Sequence, residues 1–186
     1  MSFRHTKNGF TLVELIIVIV ILGVLAVVAA PRFISLQADA EAAALNGFTS
    51  ALVSTNQLIR AQAILQGQEN LEDGSIELDD GTMLSTRFGY ITFDNNTTGG
   101  DSLISVLNVD ICHHQRNGNL CSADEVPDFI YDLDTIAGEL VTRIFFGRRI
   151  DTDRGPDSNQ IECRLDYIAP DTANESPQYD VFTSEC

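Results

Sequence analysis

Positive charge is scarce in this sequence. Eleven Lys and Arg stand against 27 Asp and Glu, a formal net charge of −16 over 186 residues. A nucleic-acid-binding protein displaces counterions with net positive surface, so a general basic face is excluded and only a small local patch is left open. With 13 Gly and 5 Pro the chain is neither collagen-like nor a Pro/Gly low-complexity segment. Long apolar runs are also scarce, because the aliphatic excess is concentrated before Pro31. That excludes a polytopic membrane protein. No nucleophile–base constellation, phosphate loop or dinucleotide fingerprint occurs, and an enzyme is not expected. What remains is enough chain for one domain with a core, with or without an appendage.

The apolar run itself is the informative feature. Residues 10–30 read FTLVELIIVIVILGVLAVVAA, with Glu14 as their one charge. As a helix this is about 30 Å, the thickness of a bilayer core. The preceding residues 1–9 hold Arg4, Lys7 and His5 and no acid, which predicts a cytoplasmic N-terminus. A secretory signal peptide with cleavage near Ala30 is one reading, disfavoured by the length of the run and by Pro31 just past the cut. A plain transmembrane anchor is another. Neither accounts for a carboxylate five residues into the run, where charge is costly and usually functional.

The string Gly9-Phe10-Thr11-Leu12-Val13-Glu14 resembles the processing site of type IV pilins and pseudopilins, and Pro31 stands where that family carries a helix-breaking proline. The resemblance implies a leader peptide at 1–9, cleavage after Gly9 by a prepilin peptidase, and N-methylation of Phe10. It also implies that Glu14 is the assembly glutamate, pairing with the Phe10 amine of a neighbouring subunit. A buried carboxylate is tolerated when it meets a cation. The implied partners are other copies of the chain, the peptidase and methylase, and an inner-membrane assembly platform. The implied route runs from an inner-membrane prepilin, its head in the periplasm, to an extracellular filament.

The helical pattern continues past Pro31. Residues 31–66 form an amphipathic segment in which Leu45, Phe48, Leu52, Thr55, Ile59 and Gln62 recur every three or four positions, and Gly67 is a stop signal. Together with residues 10–30 this predicts one helix of about 57 residues, with Gly23 and Pro31 as its weak points. The family resemblance implies that this stretch can melt inside a filament.

Residues 67–186 are expected to form the globular head, giving an α+β fold: one long helix on a small antiparallel sheet. The acid-rich stretch from Glu69 to Asp80 reads as an exposed loop. Residues 87–93, 141–146, 161–168 and 178–183 read as strands, and 101–111 as either a short helix or a strand, with the helix favoured. Cys112, Cys121, Cys163 and Cys186 allow three disulfide connectivities. The favoured pairs are Cys112 with Cys121, closing a tight loop, and Cys163 with Cys186, which resembles the C-terminal disulfide region of type IVa pilins. A zinc site from Cys112, His113, His114 and Cys121 is the sharper alternative.

Asp151, Asp153, Asp157, Asn159 and Glu162 fall at positions 1, 3, 7, 9 and 12 of an EF-hand-like loop, but Gly155 and Pro156 occupy positions 5 and 6. An ordinary hairpin loop is the better reading, with a looser calcium site as the other; no cofactor is otherwise expected. Arg143, Arg148, Arg149 and Arg154 form the basic cluster, expected to pair with acids rather than to capture DNA. The PRFISLQADAEAAALNG stretch, the FGY at 88–90 and the ECRLDYI…C ending look like mannose-sensitive haemagglutinin (MSHA) pilins. Such pilins serve adhesion, motility and biofilm formation through surface ligands that this sequence does not name. A type II secretion pseudopilin and a minor pilin acting as primer or tip adhesin are the alternatives.

Overall fold

The computed structural model describes residues 10–93, 106–113, 127–136, 138–147 and 162–186, and only the backbone of residues 30–35. Its one long element is α1, Leu12–Leu65. Ala, Leu and Gln dominate its second half, and straight-chain residues lose little freedom in a helix. The C-terminal end is built by Gly67, whose φ of +68° is the left-handed conformation a glycine adopts freely. The Gly67 N–H donates to the Ile64 carbonyl (3.2 Å) and the Gln68 N–H to the Ala63 carbonyl (2.8 Å). This pair of bonds satisfies carbonyls the helix would otherwise leave open.

The chain divides into two units, Met1–Ala40 and Glu41–Cys186. Within the second, α1 turns Leu45, Phe48, Leu52, Ile59 and Ala63 into the core. Thr55 and Gln62, expected in the same stripe, are not buried with them. Asn56 is the buried polar member of that face, at 1% exposure.

Among the described residues, eight strands cover this face in two sheets. The first is β1 (Gly74–Glu77), β2 (Met83–Arg87) and β3 (Tyr90–Ile91), antiparallel in that order. The second is β4 (Ile111–His113), β5 (Phe129–Ile136), β6 (Glu139–Phe146), β7 (Arg164–Ile168) and β8 (Gln178–Phe182). Its strands are antiparallel except β4, which runs parallel to β5. The inward residues of the central strands are large: Phe129 faces Phe146, and Ile144 sits between Tyr131 and Leu165. Phe48 of α1 meets Phe129 at 4.5 Å between ring centroids, and Phe129 meets Phe146 at 5.1 Å. Aromatic pairs at these separations add to what their buried area contributes.

Asn56 fastens the helix to both sheets. Its side-chain carbonyl accepts the Ile91 N–H (2.8 Å), and its amide donates to the Tyr179 hydroxyl (2.7 Å). The Tyr167 hydroxyl donates to the Ile91 carbonyl (2.6 Å). Burial pushes the Tyr179 hydroxyl pKa up to about 12, so it stays protonated at neutral pH. One turn on, the Arg60 guanidinium donates to the carbonyls of Glu69, Phe88 and Ala173 and lies over the Tyr90 ring. Gly89 (φ +75°) lies against Arg60 and Ala63, where a Cβ would meet atoms about 3 Å away.

Several expectations are corrected. The acid-rich stretch is not all loop, since β1 lies inside it with Ile76 fully buried. Residues 87–93 are not one strand: the chain turns at Phe88 (φ +49°) and Gly89, between β2 and β3. Residues 101–105 of the expected 101–111 helix lie outside the described residues; Val106 and Leu107 are helical, and the segment ends earlier than expected, since Ile111 begins β4.

Candidate processing and assembly site

Thr11 precedes the first helical residue, and Glu14 lies in the first turn of α1. The two close a capping box, the reciprocal arrangement in which each side chain accepts the other's backbone N–H. The Glu14 N–H donates to Thr11 Oγ1 at 3.3 Å, and the Thr11 N–H donates to Glu14 Oε2 at 2.9 Å. The Thr11 hydroxyl also donates to Glu14 Oε2, at 2.7 Å. A carboxylate at a helix N-terminus is further favoured by the macrodipole. Glu14 thus has an internal role, which sequence reasoning missed although T-x-x-E is the signal for it.

Phe10, just before the box, is 84% exposed. Beyond it, no large apolar side chain from Leu12 to Val28 is less than 46% exposed. The segment Leu12–Ala29 is long and apolar enough to cross a membrane. An uncovered apolar surface of that extent needs lipid or another protein against it. Gly23 and Pro31 do not interrupt the backbone, and α1 is helical through both. A proline removes one hydrogen bond, which a helix supported on either side absorbs.

The other predicted residues scatter. Gly9 lies outside the described residues. Cys163 is bonded to Cys186, a sequence separation of 23. Cys112 is also disulfide-bonded, to a partner outside the described residues, where Cys121 falls. This rules out Cys112 as a zinc thiolate. His113 also faces away from it, stacked on Tyr131 at 4.7 Å in the core, while Cys112 packs with Ile130 and Phe145 on the opposite face. His114 is outside the described residues. So are Asp151, Asp153, Asp157 and Asn159; Glu162 is described, and its carboxylate accepts the Ser184 hydroxyl.

Arg148, Arg149 and Arg154 likewise fall outside the described residues. Arg143 is 3% exposed and ion-paired with Asp134 (3.0 Å) and Asp166 (3.8 Å), so this guanidinium is unavailable to a nucleic acid. Asp132, Arg143, Asp166 and Asp180 form one row across β5, β6, β7 and β8. Burial raises the Asp166 pKa, even though Arg164 (2.8 Å) and Arg143 pull it down.

The geometry is therefore a capped, exposed, apolar helix start in a chain that also holds a separately folded α+β unit. Residues 4–30 match the prokaryotic N-terminal methylation motif. This chain carries a methylation motif. Under the motif, Phe10 and Glu14 lie at the start of α1. The chain is also similar to the type IV narrow pilus major component PilA5 of Thermus thermophilus, 44% identical over 56 residues. That stretch is 30% of this chain and spans about half (48%) of the relative's length. No solved structure matches the chain.

Proposed function

We propose that the chain is the structural subunit of a type IV pilus. It is made as an inner-membrane prepilin with its head in the periplasm. It is cut between Gly9 and Phe10, methylated on the Phe10 amine, and polymerised through α1 with copies of itself. The observation that carries the reading is Glu14 at the capped start of an exposed apolar helix, inside the methylation motif. In the free subunit Thr11 satisfies the carboxylate. In the filament the methylated amine of a neighbour offers it a full opposite charge, a stronger partner in a dry setting. No cofactor is required, and the peptidase, methylase and assembly platform follow as partners. Within this class, the stretch from Pro31 to Gly47, the turn at Phe88 to Tyr90 and the Cys163–Cys186 ending support an MSHA-like pilin.

Mass spectrometry of sheared surface filaments tests the reading. Filaments built of a chain that begins with N-methyl-Phe10 are expected, and Glu14→Val is expected to give a processed, membrane-inserted chain with few or no filaments. Immunogold label for residues 67–186 along the filaments marks a major subunit. Label at tips alone marks a minor pilin. An envelope-confined chain without filaments marks a secretion pseudopilin.

A further inference from the structure

A sheet edge left open to water is a template for another strand, and folds usually cover or guard theirs. Two edges here are closed by side chains. On β1, Gln66 does what a neighbouring strand would: its Nε2 donates to the Glu77 carbonyl and its Oε1 accepts the Glu77 N–H, each at 2.9 Å. On β3, the Ile91 N–H donates to Asn56 and the Ile91 carbonyl accepts the Tyr167 hydroxyl. Strand β8 has no such guard. It ends the second sheet and pairs with β7 over all five of its residues without a bulge. Among the described residues, no hydrogen bond beyond the β7 ladder reaches the main chain of Gln178–Phe182. The strand also lacks Lys and Pro, the residues that commonly discourage pairing at an edge.

The side chains of β8 say what fits beside it. Tyr179 and Val181 are partly buried against the core, while Gln178, Asp180 and Phe182 are exposed on the other face. An added strand would therefore lay apolar side chains beside Tyr179 and Val181, and a polar one beside Asp180. Charge makes the polar one a cation. Residues 162–186 hold six acids and one basic residue, Arg164. That guanidinium is committed to Asp166 (2.8 Å) and lies over the Phe182 ring. A second copy of β8 is a poor occupant, because pairing centred on Asp180 sets it against its own like charge.

We propose that the open edge of β8 accepts, as an added strand, an extended segment of another protein in which basic and apolar residues alternate. Main-chain hydrogen bonds supply the affinity and Asp180 selects the cation. The edge is about 17 Å long, an ordinary length for a strand pairing. It belongs to the second unit, so the proposal stands apart from how residues 12–29 assemble.

The test uses the full chain in detergent and the end-capped peptide Lys-Val-Lys-Val-Lys-Val-Lys. At saturating peptide, hydrogen exchange is expected to slow in β8 and to stay unchanged in β1. The same peptide N-methylated at every backbone amide keeps its charge and side chains but cannot pair as a strand. Its affinity is expected to be lower by roughly tenfold or more. Asp180→Lys, a change at an exposed position, is expected to melt like the parent. It should weaken the lysine peptide roughly tenfold relative to its counterpart Glu-Val-Glu-Val-Glu-Val-Glu. Equal affinity of the N-methylated peptide means charge attraction alone and overturns the proposal. So do protection that maps to Glu69–Asp80 instead of β8, an unaltered preference in Asp180→Lys, and no binding at about 1 mM peptide. Protection of β8 that grows with chain concentration and needs no peptide makes a second copy the occupant, and overturns it too.

Discussion

Leu22 and Leu52 are the same residue on the same helix, and they do opposite things. Leu22 is 58% exposed in a run whose large apolar side chains are all uncovered; Leu52 is fully buried in the core of the second unit. Residues 12–29 bury nothing in the single chain, so what they contribute appears only when lipid or another protein covers them. Residues 41–186 close their own core and carry the stability of the fold. On the proposed pilus reading, a substitution in the first region is read in assembly, and one in the second in melting. The sharpest way to break this contrast is to make the same change in both. Leu52→Ala is expected to cost about 2–5 kcal/mol, the range for emptying a well-packed leucine site. It should lower the melting temperature of the full chain in detergent by many degrees. Leu22→Ala should leave that temperature unchanged. Equal effects would mean that the two regions are not energetically separate.

The next effect by size is covalent. Cys163 precedes β7 and Cys186 follows β8, so their bond closes a loop around the last two strands. Cys163→Ser together with Cys186→Ser is expected to cost about 3 kcal/mol on the loop-entropy account. The loss should appear first as faster hydrogen exchange in β8, which among the described residues is paired on one side only. Unchanged exchange there would mean that β8 is held mainly by side-chain packing. Asn56→Ala comes third. It leaves the Ile91 N–H without its acceptor and the Tyr179 hydroxyl without its donor, at about 1–3 kcal/mol for an unsatisfied buried group. Urea unfolding of the variant measures it.

How much of this could be read in the sequence depends on how local each signal is. The helix was legible because its apolar spacing and its glycine stop are contained within a few turns. Strands β6, β7 and β8 were legible because β-branched and aromatic residues cluster between turn residues. Strand β1 was hidden: Ile76 is its one large buried side chain, and Glu77 and the neighbouring acids make the stretch look like loop. Strand β5 is hard to read because Asp132, Asp134 and Thr135 interrupt the apolar residues of its second half, of which Leu133 packs against the core. The parallel pairing of β4 with β5 is a tertiary fact that three residues of sequence cannot announce. At the candidate site, Glu14 stands out as a charge in an apolar run, while Gly9 and Phe10 stand out through the family resemblance. Thr11 is equally local, but its T-x-x-E spacing to Glu14 is overshadowed by the charge that Glu14 places in an apolar run.

The smallest effect tests the row of charges itself, and its sign can be worked out. Asp166 faces Arg143 and Asp180 on the neighbouring strands, with Arg164 on its own strand and Asp132 and Asp134 on β5 beyond Arg143. Its pKa is raised in the folded chain, with burial the largest cause, so the native state holds this proton more tightly than the unfolded state. Where the native state binds more protons, stability falls as pH rises. The Asp166 contribution is therefore most favourable below the ordinary carboxylate pKa of about 4 and is lost as pH climbs through the raised value. Asp80 acts in the opposite sense, because the Thr82 N–H lowers its pKa. That residue is untouched in an Asp166→Asn variant, so the comparison isolates Asp166. Melting temperatures of the parent and Asp166→Asn, measured from pH 4 to pH 6, should diverge, with the variant gaining relative to the parent as pH rises. A constant offset would mean that the Arg143 and Arg164 guanidiniums fully compensate the burial. The row would then be a plain ion-pair network rather than one that burial leaves partly uncompensated.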